Sequence, residues 1–334
     1  MRIVALAAAA LALLAGCVTH PKLVEERFEF QRPQMGVPFR IVLYATNQAH
    51  ADLAANAAYA RISQLNDILT DYDSGSELSR LSKTAGTGQA IKLSDDLWRV
   101  LAAAQTIARK SDGAFDVTVG PVVGLWRKIR RVKQMPPQDV IDDFRKPVGY
   151  EKLVLDERVH TSTLTVPGMK LDVGGIAKGY AADEAIKVLR TNGVPRALVA
   201  GSGDITVSDA PPGKAGWRIE IAPLDVTNAP PSRFVYLQNQ ALASSGDVFQ
   251  HVEIGGVRYS HIVDPKTGIG LTGHNLVTII ARDGTTADAF ATAVCVLGPA
   301  KGMALAEKQP GMSAKMVRLV NGTVEEFTTK SFGK

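Results

Sequence analysis

The spacing of apolar residues changes character several times along the chain. After Arg2 an unbroken apolar run covers residues 3–14 and ends in Ala15-Gly16-Cys17. Residues 18–34 are polar without a clear period and read as an irregular tether. Residues 37–46 alternate well enough for a strand. Over residues 52–70 the spacing shifts to three and four, with Leu53 and Ala57 leading to Ile62, Leu65 and Ile68/Leu69, which predicts a helix. Asp71-Tyr72-Asp73-Ser74-Gly75-Ser76 is turn chemistry. Ser94-Asp95-Asp96 caps a second helix expected to run through Ala108, with its acids at the positive end of the dipole.

Between Pro121 and Pro147 the chain is basic and irregular, with Arg127, Lys128, Arg130, Arg131 and Lys133. A solvated helix face and loop explains these charges more simply than a phosphate or membrane patch. Short strands are expected at 152–155 and 163–166, then a helix over 175–190 that Asn192-Gly193 and Pro195 stop. Residues 196–280 read mostly as β-structure broken by Pro- and Gly-rich turns. Two helices (285–297 and 300–307) precede two last strands. No repeat or linker divides the chain. The expected fold class is α+β: mixed, largely antiparallel sheets with flanking helices in a single body.

Composition narrows the possibilities. With 46% hydrophobic and 21% charged residues the 334-residue chain is globular, not disordered. Two cysteines exclude a disulfide-stapled scaffold and a Cys-rich zinc site. A net charge of +5 gives no electrostatic case for nucleic acid as a partner. The apolar run behind Arg2 is too short to span a ~30 Å bilayer and reads as an export signal. Leu14-Ala15-Gly16-Cys17 is similar to a bacterial lipobox, in which cleavage precedes a cysteine that is then lipidated; an ordinary signal peptide cut at small residues is the alternative. The expected division is a signal peptide at 1–16, a tether at 17–34 lipidated on Cys17, and a catalytic body at 35–334. Such a chain would be an exported lipoprotein of the bacterial cell membrane, facing the periplasm and anchored by its acyl chains. Cys295, in an apolar run, reads as a small core hydrophobe.

Four stretches carry candidate chemistry. Asp112-Gly113-Ala114-Phe115-Asp116 opens a turn expected to run into a strand, and by itself reads as a capped turn. In Leu171-Asp172-Val173-Gly174-Gly175-Ile176-Ala177-Lys178 a strand ends in a glycine pair and opens a helix, where bare amides and the dipole favour an anion. The spacing matches neither a Rossmann fingerprint nor a Walker loop, and a structural turn fits about as well as a phosphate site. His261, in a strand just before Asp264-Pro265, has the chemistry of a general base, although lone histidines are more often structural. Asp288 and Thr292 stand four apart on one exposed helix face. Their oxygens would suit Mg²⁺, while a dipole-complementing acid explains Asp288 alone. Ser202-Gly203-Asp204 and Ser245-Gly246-Asp247 contain serines but no G-x-S-x-G elbow, which argues against a serine hydrolase.

Taken in order, these stretches resemble the ApbE family of flavin transferases. The likeness begins at Met35-Gly36-Val37-Pro38-Phe39 and continues through Tyr72-Asp73-Ser74-Gly75-Ser76-Glu77-Leu78-Ser79-Arg80-Leu81, all four stretches and Ala243-Ser244-Ser245-Gly246-Asp247. It implies an ApbE-like, tunnelling-fold-like body and Mg²⁺-dependent transfer of FMN from FAD to a threonine or serine of a target flavoprotein, releasing AMP. By the same resemblance, Met35, Tyr72, Ala114, Phe115, Asp116, Asp172, Lys178 and Ile262 would line the FAD site. The carbonyl of Gly175, with Asp288 and Thr292, would hold Mg²⁺, and His261 would take the acceptor's proton. The implied partners are target flavoproteins among membrane electron-transport subunits. The chain departs from the family in having Ser202-Gly203-Asp204 where Gly-Gly-Asp is common, and Ala291 where some members carry an acid. Two rival readings use the same site: an exported Mg²⁺-dependent FAD pyrophosphatase, and a non-catalytic flavin-binding lipoprotein.

Overall fold

The computed structural model describes residues 24–224, 233–248 and 250–333. The signal segment and Cys17 lie outside the described residues. In chain order the elements begin with β1 (Glu26–Gln34), β2 (Val37–Ala45), α1 (Gln48–Leu69), α2 (Glu77–Ser82), β3 (Ile91–Lys92) and α3 (Asp95–Lys110). Next come α4 (Gly120–Val132), α5 (Gln138–Arg145), β4 (Leu153–Asp156), β5 (Thr161–Leu164) and α6 (Ala177–Thr191). A run of strands follows: β6 (Ala197–Gly201), β7 (Asp204–Val207), β8 (Trp217–Ile221), β9 (Arg233–Leu237), β10 (Gln240–Gly246), β11 (His251–Ile254), β12 (Val257–Val263), β13 (Gly270–Thr272) and β14 (His274–Ala281). The chain closes with α7 (Gly284–Glu307), β15 (Ser313–Val320) and β16 (Thr323–Thr328).

The frame is an eight-stranded sheet in the order β1-β2-β6-β7-β10-β14-β15-β16, antiparallel at every pairing. One face is covered by α1, α6 and α7, and the other by the β8–β9 hairpin. Strand β2 is therefore buried on both faces: Phe39, Ile41 and Leu43 join the helical core, while Val42 meets Trp217 and Ile219. A separate apolar cluster joins α4 and α5 to β12 through Val122, Trp126, Ile129, Ile141 and Val263. The α+β class, the antiparallel pairing and the single body agree with expectation.

Local signals were read well where a side chain acts on its own backbone. Ser94 caps α3, accepting from Leu97 N at 3.3 Å, and α6 stops at Asn192. The two expected C-terminal helices are one element kinked at Gly298 and Pro299. Cys295 is buried, its thiol donating to the Ser245 carbonyl at 3.2 Å, and burial pushes its pKa well above the ordinary range.

Five expectations are corrected. Glu26–Gln34 is an edge strand paired along β2, not irregular tether; only Phe28 and Phe30 face the core, too few to print an alternation. On α1, Ile62, Leu65 and Leu69 are buried as expected, but Leu53 is 64% exposed, and the first half of the buried stripe is Ala51, Ala54, Ala55 and Ala58. Small side chains let α1 approach α6, which offers Ala181, Ala182 and Ala185, so close backbone approach outweighs side-chain size. The basic stretch after Pro121 is ordered into α4 and α5. The turn at Asp112 therefore leads into helix α4, not a strand, and the expected strand before Gly174 is only a parallel bridge between Lys170 and Val119.

Candidate functional site

The site forms where α6, α7 and the start of β7 converge. Asp183 on α6 caps α7 by accepting from Gly284 N at 2.7 Å and Thr285 N at 2.9 Å, and it also takes the Thr206 hydroxyl of β7 at 3.0 Å. Gly179 permits the close crossing, because a Cβ there would run into the Gly284 carbonyl and lie 2.9 Å from the Asp288 Cβ. Gly179→Ala is expected to lower unfolding stability by about 3 kcal/mol, since the obstruction is backbone that cannot swing aside. Urea denaturation checks this; an unchanged midpoint would show that the helices can separate freely.

That crossing brings Asp288 to the start of α6. Asp288 is only 2% exposed, so it is not on an open helix face as the spacing alone suggested. Its Oδ2 accepts from Gly179 N at 3.1 Å, so the anion held by this helix start is an internal carboxylate. Lys178 Nζ lies 3.5 Å from the same oxygen, 3.0 Å from Asp204 Oδ2, and donates to the Gly174 carbonyl at 3.0 Å. Burial alone would discharge Lys178, but the two carboxylates outweigh it and hold its pKa above the ordinary range. Burial and the neighbouring Asp288 charge push Asp204 up to about 7. Thr292, one turn beyond Asp288, points its hydroxyl at Gly175: a Cβ on that glycine would sit 3.0 Å from Thr292 Oγ1 and 3.3 Å from Phe115. The Thr292 hydroxyl makes no hydrogen bond among the described residues.

A second group lies along α4. Asp172 N donates to the Val117 carbonyl at 2.8 Å, which with the Val119–Lys170 bridge joins the first two candidate stretches. Arg127 pairs with Asp71 and with Asp172 Oδ2 at 2.9 Å, and its guanidinium stacks 4.3 Å over Tyr72. Tyr72 is 81% exposed, an aromatic face open to a planar ligand. Burial, and then the Asp71 charge, raise the Asp172 pKa against the opposing pull of the Gly174 amide and Arg127. Asp116 is buried; its Oδ1 takes the Thr118 amide at 2.8 Å and hydroxyl at 2.7 Å, yet burial pushes it up to about 6. Ala114 and Phe115 are buried core side chains, so an adjoining ligand would meet their backbone or Phe115's ring edge. Met35 occupies the β1–β2 turn at φ 50° and packs against the main core. Ile262 is buried beside His261, its amide bonded to Ser260 Oγ at 3.1 Å.

His261 is half-buried on β12. Its Nδ1 lies 3.1 Å from the Gln250 carbonyl; only an N–H can face that acceptor, so Nε2 is left as the proton acceptor. Burial lowers its pKa below the usual histidine value, and the Arg130 and Lys178 charges push the same way, so the ring is neutral near pH 7.

The structure thus joins Gly175, Lys178, Asp288, Thr292 and Phe115 in one cluster, places Asp172 and Tyr72 together through Arg127, and sets His261 within electrostatic reach of Lys178. Sequence reasoning reads Arg127 as solvated charge and gives Asp204 no role of its own, although it closes the stretch that stands at the family's Gly-Gly-Asp. Asp204 had one available signal: it follows directly on the Ser202-Gly203 hairpin turn, with Ser202 at φ 60°, a geometry that favours glycine.

The oxygen set fits a hard cation. The uncommitted Thr292 hydroxyl meets the side-chain-free Gly175 backbone, the buried Asp288 carboxylate stands one helical turn before Thr292, and Mg²⁺ takes such ligands beside waters and phosphates. No cluster of three His, Cys, Asp or Glu side chains exists among the described residues, so this chain would supply few charged ligands itself.

Comparison with known proteins agrees with the likeness seen in the motifs. A family profile described as the ApbE family matches residues 35–316. A protein of Haemophilus influenzae described as FAD:protein FMN transferase is 32% identical over 81% of this chain and 79% of its own length. A Vibrio cholerae protein of the same description is 29% identical over 98% of this chain and 96% of its own length. The solved apo structure of Pseudomonas stutzeri flavinyl transferase ApbE superposes with a TM-score of 0.81 at 29% identity, covering 94% of this chain and 98% of that one. The Vibrio cholerae flavin transferase ApbE structure gives a TM-score of 0.83 at 28% identity, over 92% and 98% of the two chains.

Proposed function

This chain belongs to the ApbE family, and from that membership we infer that it is an FAD:protein FMN transferase, an enzyme acting on FAD and a protein acceptor. The observation that carries the reading is the meeting of Lys178, Asp288, Gly175 and Thr292 at one helix start, with neutral His261 close by.

The reaction is phosphoryl-group transfer, in which positioning and charge neutralisation supply most of the catalysis. The acceptor hydroxyl oxygen bonds to the phosphorus that carries riboflavin; the bond from that phosphorus to the bridging oxygen breaks, and AMP leaves with that oxygen. The hydroxyl proton goes to His261 Nε2, whose orientation Gln250 fixes through Nδ1. Lys178, held charged by Asp204 and Asp288, offsets the pyrophosphate charge. Tyr72, backed by Arg127, Asp172 and Asp71, offers the stacking face for an aromatic ring, and Met35, Ala114, Phe115, Asp116 and Ile262 complete the proposed FAD site. Asp288, Thr292 and the Gly175 carbonyl would hold Mg²⁺, which when bound draws charge from the phosphate oxygens.

Incubation with FAD, Mg²⁺ and a flavoprotein domain bearing an acceptor threonine is expected to add the mass of FMN to that domain. Free FMN and AMP with an unmodified domain would instead identify a pyrophosphatase, and intact FAD a binding protein. The acid limb of the transfer rate is expected to be centred below pH 6.5, the ordinary histidine value, because burial and the Arg130 and Lys178 charges lower the pKa of the base. An acid limb centred above 6.5 would count against His261 as the base.

From the apolar run behind Arg2 and the lipobox-like Leu14-Ala15-Gly16-Cys17 we also infer a location outside the cytoplasm. Cleavage before Cys17 and acylation of that residue would leave the body tethered to the membrane on the periplasmic side, near flavoprotein subunits of membrane electron transport as acceptors.

A further inference from the structure

We propose that Arg130 is a substrate-binding residue for the transferred group: its guanidinium takes the phosphate that passes from FAD to the acceptor. This rests on the transferase reading above. Arg127 and Arg130 stand three apart on α4, so they share one helix face. Their surroundings differ sharply. Arg127 is committed to Asp71, Asp172 and the Tyr72 ring. Arg130 forms no ion pair among the described residues, and its nearest polar partner is the neutral Gln250 Oε1, 3.5 Å from Nη1.

Other part-buried arginines in this protein are matched by acids: Arg61 by Asp96 and Glu184, and Arg258 by Asp247. Arg130 is likewise part-buried and has the Arg127 cation beside it instead of an anion. A desolvated guanidinium without a counter-charge is costly, and a bound anion would remove that cost.

Its position identifies which anion. The side chain of Gln250 faces Arg130, and the carbonyl of the same residue orients His261. Gln250 thus ties Arg130 to His261, and the Arg130 and Lys178 charges, from α4 and α6, both act on that ring. The atom attacked by that acceptor must lie beside the base. Here that atom is phosphorus, and its oxygens match the planar donor fork of an arginine. Lys178 is already shared between two carboxylates, which leaves Arg130 as the cation free to engage phosphate directly.

The test is equilibrium binding of FAD, FMN and riboflavin to the full chain, followed by flavin fluorescence, for the unaltered protein, Arg130→Gln and Arg130→Lys. Arg130→Gln is expected to weaken FMN and FAD binding by roughly 10-fold to 100-fold, the loss of one charged hydrogen-bonded contact, and to leave riboflavin unchanged. Arg130→Lys should recover part of the loss, since it restores charge without the fork. Unchanged riboflavin affinity also reports that each variant is folded. Equal weakening of all three flavins, or of none, overturns the assignment. The functional reading fails separately: an unaltered protein that binds FAD but never loads an acceptor would sink the transferase, while the FMN-to-riboflavin contrast would still judge Arg130.

Discussion

His261→Ala lowers the rate of FMN transfer by about 10²-fold to 10⁴-fold while FAD affinity stays within roughly twofold, the range set by loss of a positioned general base. The separation of the two effects follows from the geometry. His261 sits on β12 with Nδ1 committed to the Gln250 carbonyl, so only Nε2 is available, and in the proposed reaction that atom would meet the acceptor, not the flavin. Truncation creates little structural disturbance because the ring is half-buried and makes one side-chain hydrogen bond. Single-turnover transfer measured beside FAD titration checks this. Equal losses in rate and affinity would make His261 a flavin contact, and full activity would remove it from proton transfer.

Asp288→Asn is expected to reduce transfer by at least about 10²-fold and to abolish any Mg²⁺-dependent rise in thermal stability. The amide keeps the shape and can still accept from Gly179 N, so the metal-free protein should unfold within about 1 kcal/mol of the original. Asp288→Ala differs: it leaves that buried amide unpaired and costs about 1–3 kcal/mol more. The contrast arises because Asp288 is buried and accepts from Gly179 N, a contact that Asn keeps and Ala loses, while both variants leave Lys178 to Asp204. Thermal unfolding with and without Mg²⁺, alongside the transfer assay, reads both effects. Normal turnover in the Asn variant would refute the metal assignment.

The candidate residues were legible in the sequence where a motif is also a local structure. The glycine pair before Lys178 does open a helix, His261 does stand in a strand before a turn, and Asp288 and Thr292 do share a helix face. Their surroundings were not legible. Asp288 reads as exposed until α6 is seen to cross α7 at Gly179. Arg127 reads as solvated until Asp71, Asp172 and Tyr72, which are 45 or more positions away from it, close around its guanidinium. Strand β1 is invisible to periodicity because an edge strand with few core contacts has little reason to alternate.

By itself the sequence determined the α+β class, the placement of caps and stops such as Ser94 and Asn192, and the burial of Cys295. These depend on interactions within a few residues or on bulk hydrophobicity, which the linear pattern carries directly. Only the tertiary structure decided which charges are matched. Asp204 meets Lys178 because a β-hairpin and the start of α6 come together, and Arg127 meets Asp172 because the 170–172 segment runs beside 117–119, whereas Arg130 meets no carboxylate among the described residues. Charge compensation is a property of distance in space, and residues tens of positions apart acquire it only when the sheet and helices bring them within a few ångströms.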